Sequence, residues 1–228
     1  MPTIAQALED VHRRIAQAAL AAGRNPPEIE LLAVSKTKPA TMIREAWSAG
    51  QQAFGENYLQ DALPKIQALA DLPVEWHYIG RIQSNKTRDI ARHFAWVHGL
   101  DRLKHARRLS DQRPEALPPL NCCIQVNLSG EASKGGVPAD ALEELALAVN
   151  ELPGLRLRGL MTMPDPASPR EAQAAVFRGL ADLRHQLEKQ AGLSLDTLSM
   201  GMSGDLELAI AAGSTLVRVG TDIFGARE

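Results

Sequence analysis

Ile29-Glu30-Leu31-Leu32-Ala33-Val34, followed by Ser35-Lys36-Thr37-Lys38-Pro39, is the stretch on which the fold turns. Its first six residues are almost continuously apolar, the pattern of a parallel strand covered on both faces. The run stops at a polar segment, and Pro39 then opens a helix to about Ala49. Toward the N-terminus, Ile4, Leu8, Val11, Ile15 and Ala18 or Ala19 recur at spacings of three and four. Gly23 with Asn25-Pro26-Pro27 ends that pattern, so one amphipathic helix precedes any strand.

Toward the C-terminus the strand-then-helix unit repeats. Strands are expected over residues 52–55, 75–79, 95–97, 122–126, 156–161 and 197–200, followed by helices over about 58–70, 84–92, 102–109, 139–150, 170–189 and 204–212, with a last strand over 215–219 and almost nothing after it. Eight strands with helices between them is the count that closes a parallel barrel. The expected class is α/β: a (β/α)8 TIM barrel with an extra N-terminal helix, its 228 residues forming a single domain over 1–228. An open doubly wound sheet stays open as the alternative, because strand order cannot be read from one chain.

Composition narrows the function classes. At 45% hydrophobic and 23% charged the chain is globular, and a net charge of −2 supplies no field for nucleic acid or an anionic membrane. An anionic ligand must therefore be held by a local site. No apolar run approaches a membrane span and no basic-plus-apolar leader opens the chain, so a cytoplasmic protein without membrane or nucleic-acid partners is expected. Cys122 and Cys123 are adjacent in an apolar run and read as buried structural thiols. Nine aromatic residues leave the core to Ala, Leu, Ile and Val, which suits layered packing inside a barrel.

In such a barrel the chemistry sits at the C-terminal strand ends. Lys36 stands at the end of the first strand, where desolvation lowers a lysine pKa and frees an amine for Schiff-base formation with a carbonyl. A lysine snorkelling to solvent is the plain alternative. Ser199-Met200-Gly201-Met202-Ser203-Gly204-Asp205, with Gly220-Thr221, forms a second group. Ser203 stands at an expected helix N-cap, and free N–H groups there and at Gly220 and Thr221 can surround an anion. Asp205 in the first turn opposes a dianion unless it points outward. Arg218 lies in the apolar Leu216-Val217-Arg218-Val219, facing either the barrel or the helix layer, and needs a partner. Among the six histidines there is no metal-ligand spacing, and no dinucleotide, Walker A or serine-hydrolase motif occurs; no metal is implied.

Leu32-Ala33-Val34-Ser35-Lys36-Thr37-Lys38-Pro39, Phe54-Gly55-Glu56-Asn57-Tyr58, Trp76-His77-Tyr78-Ile79-Gly80 with Gln83, Asn85 and Lys86, and the closing residues 199–225 resemble the pyridoxal phosphate homeostasis protein family, single-domain proteins similar to the alanine racemase N-terminal barrel. The resemblance implies that Lys36 carries pyridoxal 5′-phosphate (PLP) as an internal aldimine. It also implies that Ser203 with the Gly220 and Thr221 backbone holds the phosphate and that Arg218 faces the pyridine nitrogen. Asn57 is expected as an outer contact beside the ring. A guanidinium beside that nitrogen weakens the ring as an electron sink. The expected activity is non-catalytic PLP binding in vitamin B6 homeostasis, buffering the cofactor or delivering it transiently to PLP-requiring apoenzymes. Racemases of this type have a second domain with an opposing tyrosine; Tyr58 and Tyr78 offer no evident counterpart. A PLP-dependent racemase or lyase is the alternative, and a Schiff-base aldolase the more distant one. A monomer is expected, and Lys38 and Lys134 read as solvated loop lysines.

Overall fold

The computed structural model describes residues 2–129 and 135–226. Thr3 caps α1 (Ile4–Ala21) in a reciprocal box with Gln6, and the helix buries the expected face, including Ile4, Leu8, Val11 and Ile15. There follow β1 (Glu30–Val34), α2 (Ala40–Ser48), β2 (Ala53–Glu56), α3 (Leu59–Ala68), β3 (Glu75–Tyr78), α4 (Thr87–His93), β4 (Trp96–Leu100) and α5 (Leu103–Asp111). The second half continues with β5 (Leu120–Gln125), α6 (Leu142–Asn150), β6 (Leu155–Met161), α7 (Arg170–Ala191), β7 (Thr197–Met202), α8 (Leu206–Ala211), β8 (Leu216–Val219) and α9 (Thr221–Phe224).

Every strand pairs in parallel with its sequence neighbours, and β8 returns to β1 through Leu32↔Arg218 and Ala33↔Val219. The sheet therefore closes in the order β1 to β8, and the open-sheet alternative is excluded. Alternation along the strands separates two layers. Leu31, Ala33, Phe54, Val97, Leu198, Val217 and Val219 pack outward in the main cluster with the helices. Leu32, Ala53 and Leu216 form one small interior cluster, and Trp96, Cys123 and Met161 another.

Several boundaries differ from the sequence reading. β4 extends through His98 and Gly99 to Leu100, because His98 is buried inside the barrel and not at a polar loop. β2 runs on to Glu56, which is fully buried. α8 starts at Leu206 with Asp205 at the N-cap position, so Ser203 is not the cap. α9 follows β8 directly. The interior is also less aliphatic than expected, for Trp96, His77, His98, Ser199 and Arg218 are all buried there. Trp96 lies parallel to His77 with centroids 5.3 Å apart.

Among the described residues no helix is long and apolar enough to cross a membrane. Cys122 and Cys123 are free and buried, and burial pushes the Cys122 thiol up to about 12, as suits inert core thiols.

Candidate functional site

The C-terminal ends of β1, β2, β7 and β8 surround a cavity of about 250 Å³. Lys36, Asn57, Ser203, Arg218, Gly220 and Thr221 all line it. Lys134 lies outside the described residues.

β1 delivers Lys36. Ser35 is still fully buried, Lys36 is half-buried, and Thr37 turns the chain at φ +66°, a left-handed conformation uncommon for a non-glycine residue. Lys38 also lines the cavity, but its Nζ donates to Ala226 O at 2.8 Å, so it is tied to the segment after α9 and not simply solvated. A buried network stands behind this strand end. Lys65 Nζ of α3 donates to Glu56 Oε1 at 2.8 Å and to Ser35 O at 3.0 Å, while Ser35 Oγ donates to the same carboxylate oxygen at 2.6 Å. Burial nevertheless holds Glu56 above the usual carboxylate range, and its Oε2 has no partner.

β7 and β8 build the anion side. The β7–β8 register shifts between Ser199 and Met202, and Gly201 sits at φ +96° within that bulge. A Cβ on Gly201 would lie 2.6 Å from Ala209 Cβ, so only glycine lets the turn pack on α8. The backbone N–H groups of Ser203, Gly204, Gly220 and Thr221 have no hydrogen-bond partner among the described residues. The buried Asp205 side chain does not line the cavity but folds back to accept the Met202 N–H at 2.6 Å, and burial raises its pKa.

Arg14 of α1 joins the two loops that carry these N–H groups. It donates to Ser203 O at 3.1 Å and to Glu207 Oε1 at 2.8 Å on the β7–α8 side, and to Asp222 Oδ2 at 2.5 Å on α9. Sequence reading gave no hint of this clamp, because its partners lie 189 to 208 residues away.

Arg218 points into the barrel. Nη1 donates to Ser199 O at 2.6 Å and Ser199 Oγ at 2.7 Å, and Nη2 donates to Thr162 O at 3.0 Å. Its partners are thus carbonyls and a hydroxyl, not the carboxylate a buried arginine usually demands. Desolvation lowers its pKa to about 10, which leaves it cationic at neutral pH. Three of its five N–H donors are occupied, so two remain without a partner among the described residues, on a side chain that lines the cavity. Asn57 Oδ1 is likewise buried without a partner. Unmet donors and an unmet acceptor in one cavity, beside an anion nest and an amine, are what a planar, polar, phosphorylated aldehyde would satisfy. Of the tyrosines, Tyr78 is buried with its hydroxyl on Arg81 O at 3.2 Å, and Tyr58 is exposed.

Residues 7–228 match the family described as alanine racemase, N-terminal domain. The chain is 60% identical over 228 residues to the Pyridoxal phosphate homeostasis protein of Pseudomonas aeruginosa, covering 100% of this chain and 97% of that one. It is 54% identical over 231 residues to the protein of the same name from Escherichia coli, covering 100% and 98%. The solved structure of PipY from Synechococcus elongatus with PLP bound matches with a TM-score of 0.83 at 39% identity, over 92% of this chain and 100% of that one.

Proposed function

Because the chain belongs to the pyridoxal phosphate homeostasis protein family, we propose that it binds PLP in the β1–β8 cavity and serves to hold and release the cofactor without turning over a substrate. The observation that carries this reading is the convergence on one cavity of the Lys36 amine, the four free N–H groups, the two spare donors of Arg218 and the orphaned Asn57 Oδ1. PLP supplies an aldehyde that condenses with a lysine amine and a ring that can withdraw electrons.

Each residue then has a definite task. Lys36 Nζ would supply the amine for the aldehyde. Ser203, Gly220 and Thr221 would hold the phosphate, and Arg14 keeps their loops in register. Arg218, cationic at neutral pH with a pKa of about 10, would donate toward the pyridine nitrogen and disfavour a proton there, which would weaken the ring as an electron sink. Asn57 would stand beside the ring. This electronic setting supports binding without catalysis. Residues 1–228 act as one PLP-binding domain, a monomer in the cytoplasm that passes the cofactor transiently to apoenzymes.

Protein loaded with PLP should show a visible absorbance band that borohydride fixes onto the peptide containing Lys36. A protein that stays colourless, or a Lys36→Ala variant that keeps the label at this site, would falsify the assignment. Incubation with amino acids in deuterated water separates the racemase or lyase alternative: Cα exchange above that of free PLP would establish turnover.

A further inference from the structure

Beneath Arg218 the barrel interior carries a column of polar groups that PLP binding does not use. Ser199 Oγ, which accepts from Arg218 Nη1, lies 2.7 Å from His98 Nδ1. His98 Nε2 lies 2.9 Å from His77 Nδ1, and His77 Nε2 lies 2.8 Å from Glu75 Oε1. Ser199, His98 and His77 are fully buried, whereas the Glu75 side chain is 45% exposed at the N-terminal mouth of the barrel. The column therefore runs from the cavity floor to solvent at the opposite end.

Its two ends have fixed roles, since a guanidinium only donates and an ionised carboxylate only accepts. The His77 hydrogen bond holds Glu75 below the ordinary carboxylate range, so it is ionised at neutral pH. Burial, reinforced by His77 and Arg218, holds His98 well below the ordinary imidazole value, so His98 carries one proton. With His77 neutral, one order satisfies every contact. Arg218 donates to Ser199 Oγ, the Ser199 hydroxyl to His98 Nδ1, His98 Nε2–H to His77 Nδ1, and His77 Nε2–H to Glu75. With His77 cationic both of its nitrogens donate. His98 must then carry its proton on Nδ1, and Ser199 Oγ receives from His98 and Arg218 together. One proton gained near the mouth thus reverses two hydrogen bonds, turns the Ser199 hydroxyl and sets His98 in competition with Arg218 for one oxygen.

The charges that face His77 come from several elements. Glu75 is on its own strand and Glu30 on β1, with one oxygen of each within 4.8 Å of a His77 nitrogen. Arg158 of β6 pairs with Asp196 and lies 4.9 Å over the Trp96 ring that stacks on His77. His98 of β4, and Arg218 of β8 beyond it, complete the set.

We propose that Glu75, His77, His98 and Ser199 are positioning residues for Arg218, and that they transmit the protonation state of the N-terminal mouth to the guanidinium in the cofactor cavity. The inference rests on the reading of Arg218 as the partner of the pyridine nitrogen. Two measurements on the full chain test it. In cofactor-free protein, imidazole 15N shifts should place the His98 proton on Nε2 at alkaline pH and move it to Nδ1 as His77 protonates. In PLP-loaded protein the visible absorbance should respond over the same transition. Glu75→Gln keeps an acceptor for His77 but removes the charge, so the pH dependence of both readouts should change. A His98 proton fixed on Nδ1 throughout overturns the proposal, as does an absorbance profile identical in wild type and Glu75→Gln. A protein that takes up no PLP refutes the cofactor reading instead, and the nitrogen shifts then decide the donor order by themselves.

Discussion

The buried pair behind Lys36 gives a quantitative test of how the site is supported. Lys65→Met keeps most of the side-chain volume and removes the ammonium that donates to Glu56 Oε1 and Ser35 O. Glu56, fully buried, then retains only the Ser35 hydroxyl, because its second oxygen already lacks a partner. Breaking a buried pair from one side costs about 3–5 kcal/mol, a large part of a domain stability on the order of 5–15 kcal/mol. Urea unfolding of cofactor-free protein should show a midpoint lower by about 1–3 M with its slope unchanged. Proton linkage adds a second signature. Burial raises the folded-state pKa of Glu56, so the folded chain holds a proton at pH values where the unfolded chain has released it. The stability is present below the unfolded value and falls as pH rises through the folded one. Without Lys65 that folded value moves higher still, and the variant's deficit should shrink between pH 7.5 and pH 5. The double variant Lys65→Met/Glu56→Gln removes both charges and should recover at least half of the loss. A single-variant loss under about 1 kcal/mol, or a double variant as unstable as the two singles added together, would refute the reasoning.

Three further outcomes follow from the site geometry. Gly220→Ala puts a Cβ 2.9 Å from Val34 O, so the end of β8 must shift; PLP affinity, read by fluorescence titration, should fall about tenfold or more, and an unchanged Kd would show that the rim tolerates movement. Arg14→Met removes the clamp on the Ser203 loop and α9 without touching the cavity, so affinity should fall severalfold while borohydride still labels Lys36; equal affinity to wild type would show that the loops hold themselves. Glu75 is held below its ordinary range by His77, so its stabilising contribution is present above the unfolded value near 4.3 and is lost as pH falls through the folded value. The acid limb of a thermal-stability profile should therefore be flatter in Glu75→Gln, and identical limbs would count against an ionised, paired Glu75.

The sequence made some of this legible and hid the rest for physical reasons. β1 is readable because a parallel strand covered on both faces must be apolar throughout, and because the run breaks abruptly at Ser35-Lys36. The same rule located the ends of β2, β7 and β8, and so Asn57, Ser203, Gly220 and Thr221. It fell short at β4, expected over 95–97, because the strand runs on through the buried His98 and Gly99 to Leu100. It also misplaced the start of α8. Ser203-Gly204-Asp205 offers two cap residues two positions apart, and the Asp205 side chain turns back to the Met202 N–H, leaving Ser203 in the loop that faces the cavity.

What stayed hidden is whatever depends on closure. A side chain inside an eight-stranded barrel meets partners across the lumen, so its neighbours are not those at i+2 or on the next strand alone. His98 and Ser199 are 101 residues apart, and His77 and His98 are 21 apart on adjacent strands. Scanned as isolated residues, the histidines show only that metal-ligand spacing is absent, and Ser199 is one member of the group at the expected end of the seventh strand. Arg218 was readable as a buried charge in need of a partner, but which partner it finds is set in the lumen. There Ser199 and two carbonyls take three of its donors and leave two for the cavity. A carboxylate partner would have neutralised the guanidinium and occupied its fork. Its hydrogen-bond partners are neutral, so they hold the plane of the guanidinium and leave its remaining donors to the cavity, while the Asp205 carboxylate acts on its charge only through space.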